Sequence, residues 1–77
     1  MDPTTLRTEI LRLVSEHDAK AGFIDDKVVA SALGVPLIEV QRQLDVLEYK
    51  GLVKLYKTFG PNYSASLTPA GILALEG

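Results

Sequence analysis

Few side chains in this sequence are equipped for covalent or acid–base chemistry. His17 is the only histidine and there is no cysteine, so a zinc-like ion lacks the several nitrogen or sulfur donors it needs. No nucleophile stands at a recognisable spacing from the imidazole either. His17 falls on the apolar side of a helical pattern, which fits a ring at the core edge hydrogen-bonded to a loop carbonyl. No paired carboxylates at useful spacing, no Ser/His/Asp set and no phosphate-cradling glycine loop occur. An enzyme, a metal site and a bound cofactor are therefore not expected, and so short a chain leaves little room for a deep pocket.

What remains is recognition chemistry. Lys50, Lys54 and Lys57 lie within eight residues of one another and could hold phosphates, although lysines so spaced are more often solvated surface. Tyr56, Phe59 and Tyr63 present faces on which bases of a single strand can stack. Cross-strand packing within a hairpin is the commoner use of such aromatics.

These residues hang on one stretch, from Leu33 to Val53. Gly34 supplies the positive φ that ends a helix, and Pro36 opens the next, where its missing N–H goes unneeded. Val40, Leu44 and Leu47 recur at i, i+4 and i+7 and so share one buried face. Gly51 stops that helix before a strand. Two helices joined by a short glycine turn form the helix-turn-helix unit.

Around it, Asp2-Pro3 starts a first helix that buries Leu6, Ile10, Leu13 and Val14 and fades toward Gly22. Phe23-Ile24 is long enough only for a bridging strand. Asp25 caps a second helix, Lys27 to Leu33, whose buried side is Val28, Val29, Ala32 and Leu33. The Asp25-Asp26 pair suits the positive end of that helix without invoking a ligand. Val53 and Leu55 alternate with Lys54 and Tyr56, and Tyr63 to Leu67 alternates again, so a turn at Phe59-Gly60-Pro61-Asn62 predicts a β-hairpin. Thr68-Pro69 starts a last helix, Ala70 to about Glu76, whose Ile72, Leu73 and Leu75 require cover on more than one side.

The 77 residues predict one α+β domain spanning 1–77, with modest stability because so small a chain buries only about 60% of its unfolded surface. No apolar run approaches the roughly 18 residues of a membrane span, and no export signal is seen, so a cytoplasmic location is expected. The net charge is -2. Residues 1–35 are acidic, and a faint positive bias lies in 36–66, where Arg42, Lys50, Lys54 and Lys57 meet Glu39, Asp45 and Glu48. A dedicated nucleic-acid binder usually carries a stronger basic patch.

In its order of elements the sequence resembles the winged helix-turn-helix family, the fold of many small bacterial and archaeal transcription regulators. The resemblance rests on Leu33-Gly34-Val35, on Val40, Leu44, Leu47-Glu48 and Lys50-Gly51-Leu52-Val53, and on Ser66-Leu67-Thr68-Pro69-Ala70-Gly71. It covers nearly the whole chain. It implies a three-helix core with a C-terminal β-hairpin wing and a short final helix, acting on double-stranded DNA as a transcription regulator, with a homodimer expected. By position, Gln41 and Arg42 would contact bases, and Lys54 and Lys57 would hold phosphates from the wing, with Lys50 beside them. Arginine pairs bidentately with guanine and glutamine with adenine, each worth roughly 1–3 kcal/mol of discrimination. Lysines add salt-sensitive affinity.

The third helix departs from that pattern. Opposite its buried face stand Ile38, Arg42, Asp45 and Tyr49, with Val46 beside them. Leu37 and Ile38 occupy the helix start, where DNA-reading relatives tend to show polar or basic residues, and Glu39 and Asp45 bring negative charge toward phosphates. A stripe of Ile38, Val46 and Tyr49 suits a protein partner instead. The alternative expectation is thus a protein-interaction or oligomerisation module.

Overall fold

A computed structural model describes residues 1–57 and 61–76. Four helices and three strands follow in the order α1 (Pro3–Ala21), β1 (Ile24–Asp25), α2 (Asp26–Leu33), α3 (Leu37–Tyr49), β2 (Val53–Tyr56), β3 (Ser64–Leu67) and α4 (Pro69–Glu76). The architecture is α+β. The strands form one antiparallel sheet in the order β1-β3-β2, with Ile24 opposite Ala65 and Val53 opposite Leu67. Phe59 and Gly60 of the expected turn lie outside the described residues. No helix among the described residues is long and apolar enough to cross a membrane.

The core gathers where α1, α3 and the sheet converge. Ile10, Val14, Val29, Val40 and Leu44 are wholly buried there, with Ala65 sealing the sheet side. In α1 the buried set is Leu6, Ile10, Leu11 and Val14; Leu13, expected inside, is half-buried. The shift has a cause: α4 returns against α1 and places Leu75 near Leu11, so the buried stripe widens on that flank. His17 is half-buried, and its Nδ1 lies 3.2 Å from the Leu13 carbonyl, one turn back in its own helix rather than in a loop.

Asp2 caps α1. Its carboxylate accepts from the Thr5 backbone N–H at 2.9 Å and from the Thr5 hydroxyl at 3.0 Å. Those bonds, the backbone one foremost, hold the Asp2 carboxyl below its ordinary pKa. Because the folded value is the lower one, the cap's stabilisation is full above the ordinary aspartate range and is lost as pH falls through the folded value. An NMR acid titration is expected to show Asp2 ionising below a free aspartate, with the Thr5 amide moving in step. An Asp2 midpoint at or above the free value would contradict the cap.

The second helix differs more from expectation. Val29 is buried and Leu33 half-buried, but Val28 is 45% exposed and Ala32 is exposed. The inward stripe is Asp26, Val29, Ala30 and Leu33, at i, i+3, i+4 and i+7, and its first position is a carboxylate. Asp25 stands at the N-cap position, but its side chain makes no cap bond; it accepts instead from the Ser64 hydroxyl at 2.8 Å across the β1–β3 pair. Gly34, at φ 65°, then turns the chain into α3. Pro36 precedes α3 as its N-cap and does not occupy the first turn.

At the other end, the Thr68 hydroxyl accepts from the Gly71 N–H at 3.0 Å and donates to the Gly51 carbonyl at 2.6 Å. It therefore starts α4 and ties it to the end of α3. Only one side of α4 is covered: Leu75 packs on the core, whereas Ile72 and Leu73 are 44% and 67% exposed. Among the described residues the expected cover on a second side is not found. On its free side, away from β3, the Leu55 N–H of β2 donates to the Glu48 carboxylate at 3.3 Å.

Candidate interaction surface

The third helix meets the rest of the molecule on three of its four sides. Inward go Val40, Gln43, Leu44 and Leu47. Toward α2 and the hairpin go Gln41 and Glu48; toward α1 goes the Gln43 amide, whose oxygen accepts from Arg7 Nη1 at 2.9 Å. The fourth side faces away from the body, with Ile38 67% and Tyr49 93% exposed.

Gln41 is not turned outward. Its Nε2 donates to Asp26 Oδ2 at 2.7 Å and, at an exposed place, to the Pro61 carbonyl at 2.9 Å, so both amide protons have partners within the chain. The same Asp26 oxygen accepts from the Tyr63 N–H at 2.9 Å, and the Asp26 N–H donates to the Tyr63 carbonyl at 2.9 Å. Asp26, wholly buried, thereby joins α2, α3 and the entry to β3. Gln41, expected to contact bases, is here placed as a brace between α3, Asp26 and the segment before β3.

The cations fare differently. Arg42 Nη1 donates to Glu39 Oε2 at 3.0 Å, and the other oxygen of Glu39 accepts from Gln43 Nε2 at 3.2 Å. Glu39 is thus held through Gln43 and Arg7 to α1, and its charge stays beside Arg42. Lys57 Nζ lies 3.4 Å from Asp45 Oδ1 and 4.6 Å from the centroid of the Tyr63 ring. Partial desolvation favours the neutral amine, but the hydrogen bond and charge of Asp45 outweigh it and leave Lys57 above its ordinary pKa. Lys54 is exposed, with its Nζ 5.5 Å from the Tyr56 ring centroid. Lys50 caps α3 and lines a cleft with α1 and α4, apart from the hairpin lysines.

The structure therefore brings Lys57 to the outward side of α3 but sets Lys50 elsewhere. Between Leu37 and Tyr49 the helix carries Glu39, Asp45 and Glu48 against Arg42 alone. Of the three expected apolar contacts, Ile38 and Tyr49 are open and Val46 is half-buried. Tyr56 is 43% exposed and Tyr63 half-buried; Phe59 lies outside the described residues. The bracing role of Asp26 was missed in the sequence, yet a signal existed: Asp26 opens the i, i+3, i+4, i+7 stripe completed by Val29, Ala30 and Leu33.

No protein-family model, curated protein or solved structure matches this chain.

Proposed function

We propose that the chain is a winged helix-turn-helix domain that works as a protein-interaction module through the outer face of α3. The element order, the sheet order β1-β3-β2 and the turn at Gly34 support the winged-helix reading. One observation carries the functional reading. On α3 the glutamine is turned inward and the arginine is matched by a held glutamate, while Ile38 and Tyr49 stand free. Exposed apolar side chains among charges are what protein interfaces present. The partner that complements this face is a helix or loop with apolar side chains flanked by basic ones, since between Leu37 and Tyr49 the helix carries three carboxylates against one arginine. The uncovered Ile72 and Leu73 of α4 offer a second surface, suited to a homodimer.

Duplex DNA is the second reading, favoured by Lys54. No carboxylate lies within ion-pair distance of it among the described residues, and it shares the hairpin with Lys57. Exposed ion pairs are weak, at about 0–1 kcal/mol, so phosphates could replace Asp45 at Lys57.

A titration of labelled mixed-sequence duplex at low salt separates the two. The native chain is expected to bind more weakly than the roughly 10⁻⁴–10⁻⁶ M of non-specific binders, and Glu39→Gln with Asp45→Asn is expected to strengthen binding by removing the repelling charges. A photo-crosslinking side chain placed at Tyr49 is expected to trap a protein in cells, and Ile38→Ser to abolish the adduct. Tight binding of the native chain that collapses as salt rises, and is lost in Arg42→Ala/Lys54→Ala, would establish the DNA reading instead.

A further inference from the structure

A cleft of about 240 Å³ opens where the end of α3 meets α1 and α4. Its floor is apolar, with Leu11 and Leu47 buried and Leu75 half-buried, and its rim carries Arg7, Lys50 and Thr8. Among the described residues two cations line it and no carboxylate does. Arg7 is half-buried and its Nη1 donates to the side-chain amide oxygen of Gln43 at 2.9 Å, a neutral partner that leaves the guanidinium charge uncompensated. Neither Arg7 nor Lys50 has an acidic group within ion-pair distance among the described residues. A partly buried cation beside apolar walls is stabilised by an anion that brings its own apolar surface.

We propose that this cleft binds a small amphipathic carboxylate, its acid group between Arg7 and Lys50 and its stem on Leu11, Leu47 and Leu75. The volume falls below the roughly 300 Å³ at which drug-sized pockets begin, so the stem is short, a few carbons or one ring. Occupancy would clasp α4 to α1 and the end of α3. The site is independent of the outer face of α3 and holds whichever partner that face meets.

The test is a methyl and amide NMR titration of the 77-residue chain at low salt with hexanoate, and separately with hexanol and with inorganic phosphate. Hexanoate is expected to shift Leu11, Leu47 and Leu75 saturably, with hexanol and phosphate each much weaker. Lys50→Gln, an exposed change, is expected to weaken hexanoate roughly tenfold, and Lys50→Arg to restore it. Equal affinity for hexanol would overturn the proposal by leaving only an apolar cleft, and equal affinity for phosphate by leaving only an anion site. So would the absence of saturable shifts, or shifts that follow protein concentration alone, which would place a second copy in the cleft.

Discussion

Asp26→Ala is expected to lower the stability of the domain by about 2–4 kcal/mol, the cost of stranding buried donors. The Tyr63 N–H loses its only side-chain acceptor and the Gln41 amide loses the shorter of its two bonds. Against a total near the low end of the roughly 5–15 kcal/mol typical of domains, that is a large share. Urea unfolding should show a lower midpoint at unchanged slope, and the Tyr63 amide should exchange much faster in the folded variant. Asp26→Asn keeps an acceptor oxygen, and it relieves a buried charge that meets no cation among the described residues. It is expected to cost less than half as much. A midpoint for the alanine variant within error of the native chain would mean that Asp26 does not join the three elements.

Gly71→Ala is expected to be the second most damaging change, at about 1–3 kcal/mol. Gly71 is the one buried residue of α4. A β-carbon there runs into the Leu52 carbonyl oxygen and sits 2.8 Å from Leu67 Cδ1. The Leu52 oxygen cannot simply retreat, because it accepts from the Thr68 N–H at 3.2 Å. In an exposed helix the same change is worth about 0.5–1 kcal/mol of gain, so the collision decides the sign. The loss should localise: hydrogen exchange in α4 is expected to accelerate well before that of α1 or α3. A stabilised variant with a protected α4 would show that the helix can slide to admit the methyl group.

These two residues also mark where the sequence is and is not legible. The body of α3 is readable because Val40, Leu44 and Leu47 repeat at a helical period and Gly34 and Gly51 bracket them. That information is local, and the caps at Asp2 and Thr68 are local in the same way. Asp26 is different. An aspartate at a helix start is ordinarily a solvated group favoured by the dipole, and its actual partners lie 15 and 37 residues further on. Only tertiary packing makes it a buried brace, and the same packing engages the amide of the half-buried Gln41. Leu11 joins the buried set beside a half-buried Leu13 for a related reason, since helical periodicity gives the width of an apolar stripe but not which flank a later helix covers. The outward stripe of α3 was legible as far as Ile38 and Tyr49. The matching of Arg42 to Glu39 depends on the i, i+3 spacing, but the fixing of Glu39 through Gln43 to Arg7 could come only from the packing of α1 on α3.

The bond from Leu55 to Glu48 bears on how the molecule behaves in a crowded solution. A small open sheet invites other chains to add a strand along any unpaired margin, the usual first step of ordered aggregation. Here the outer margin of β2 is already claimed by a carboxylate from α3, which an incoming strand would have to evict and leave facing its own backbone oxygens. The opposite margin, β1, is two residues long and offers too little length for a lasting pairing. The domain can therefore leave Ile38, Tyr49, Ile72 and Leu73 open on its helices, because among the described residues the margins of its sheet give a stray chain a poor template on which to grow.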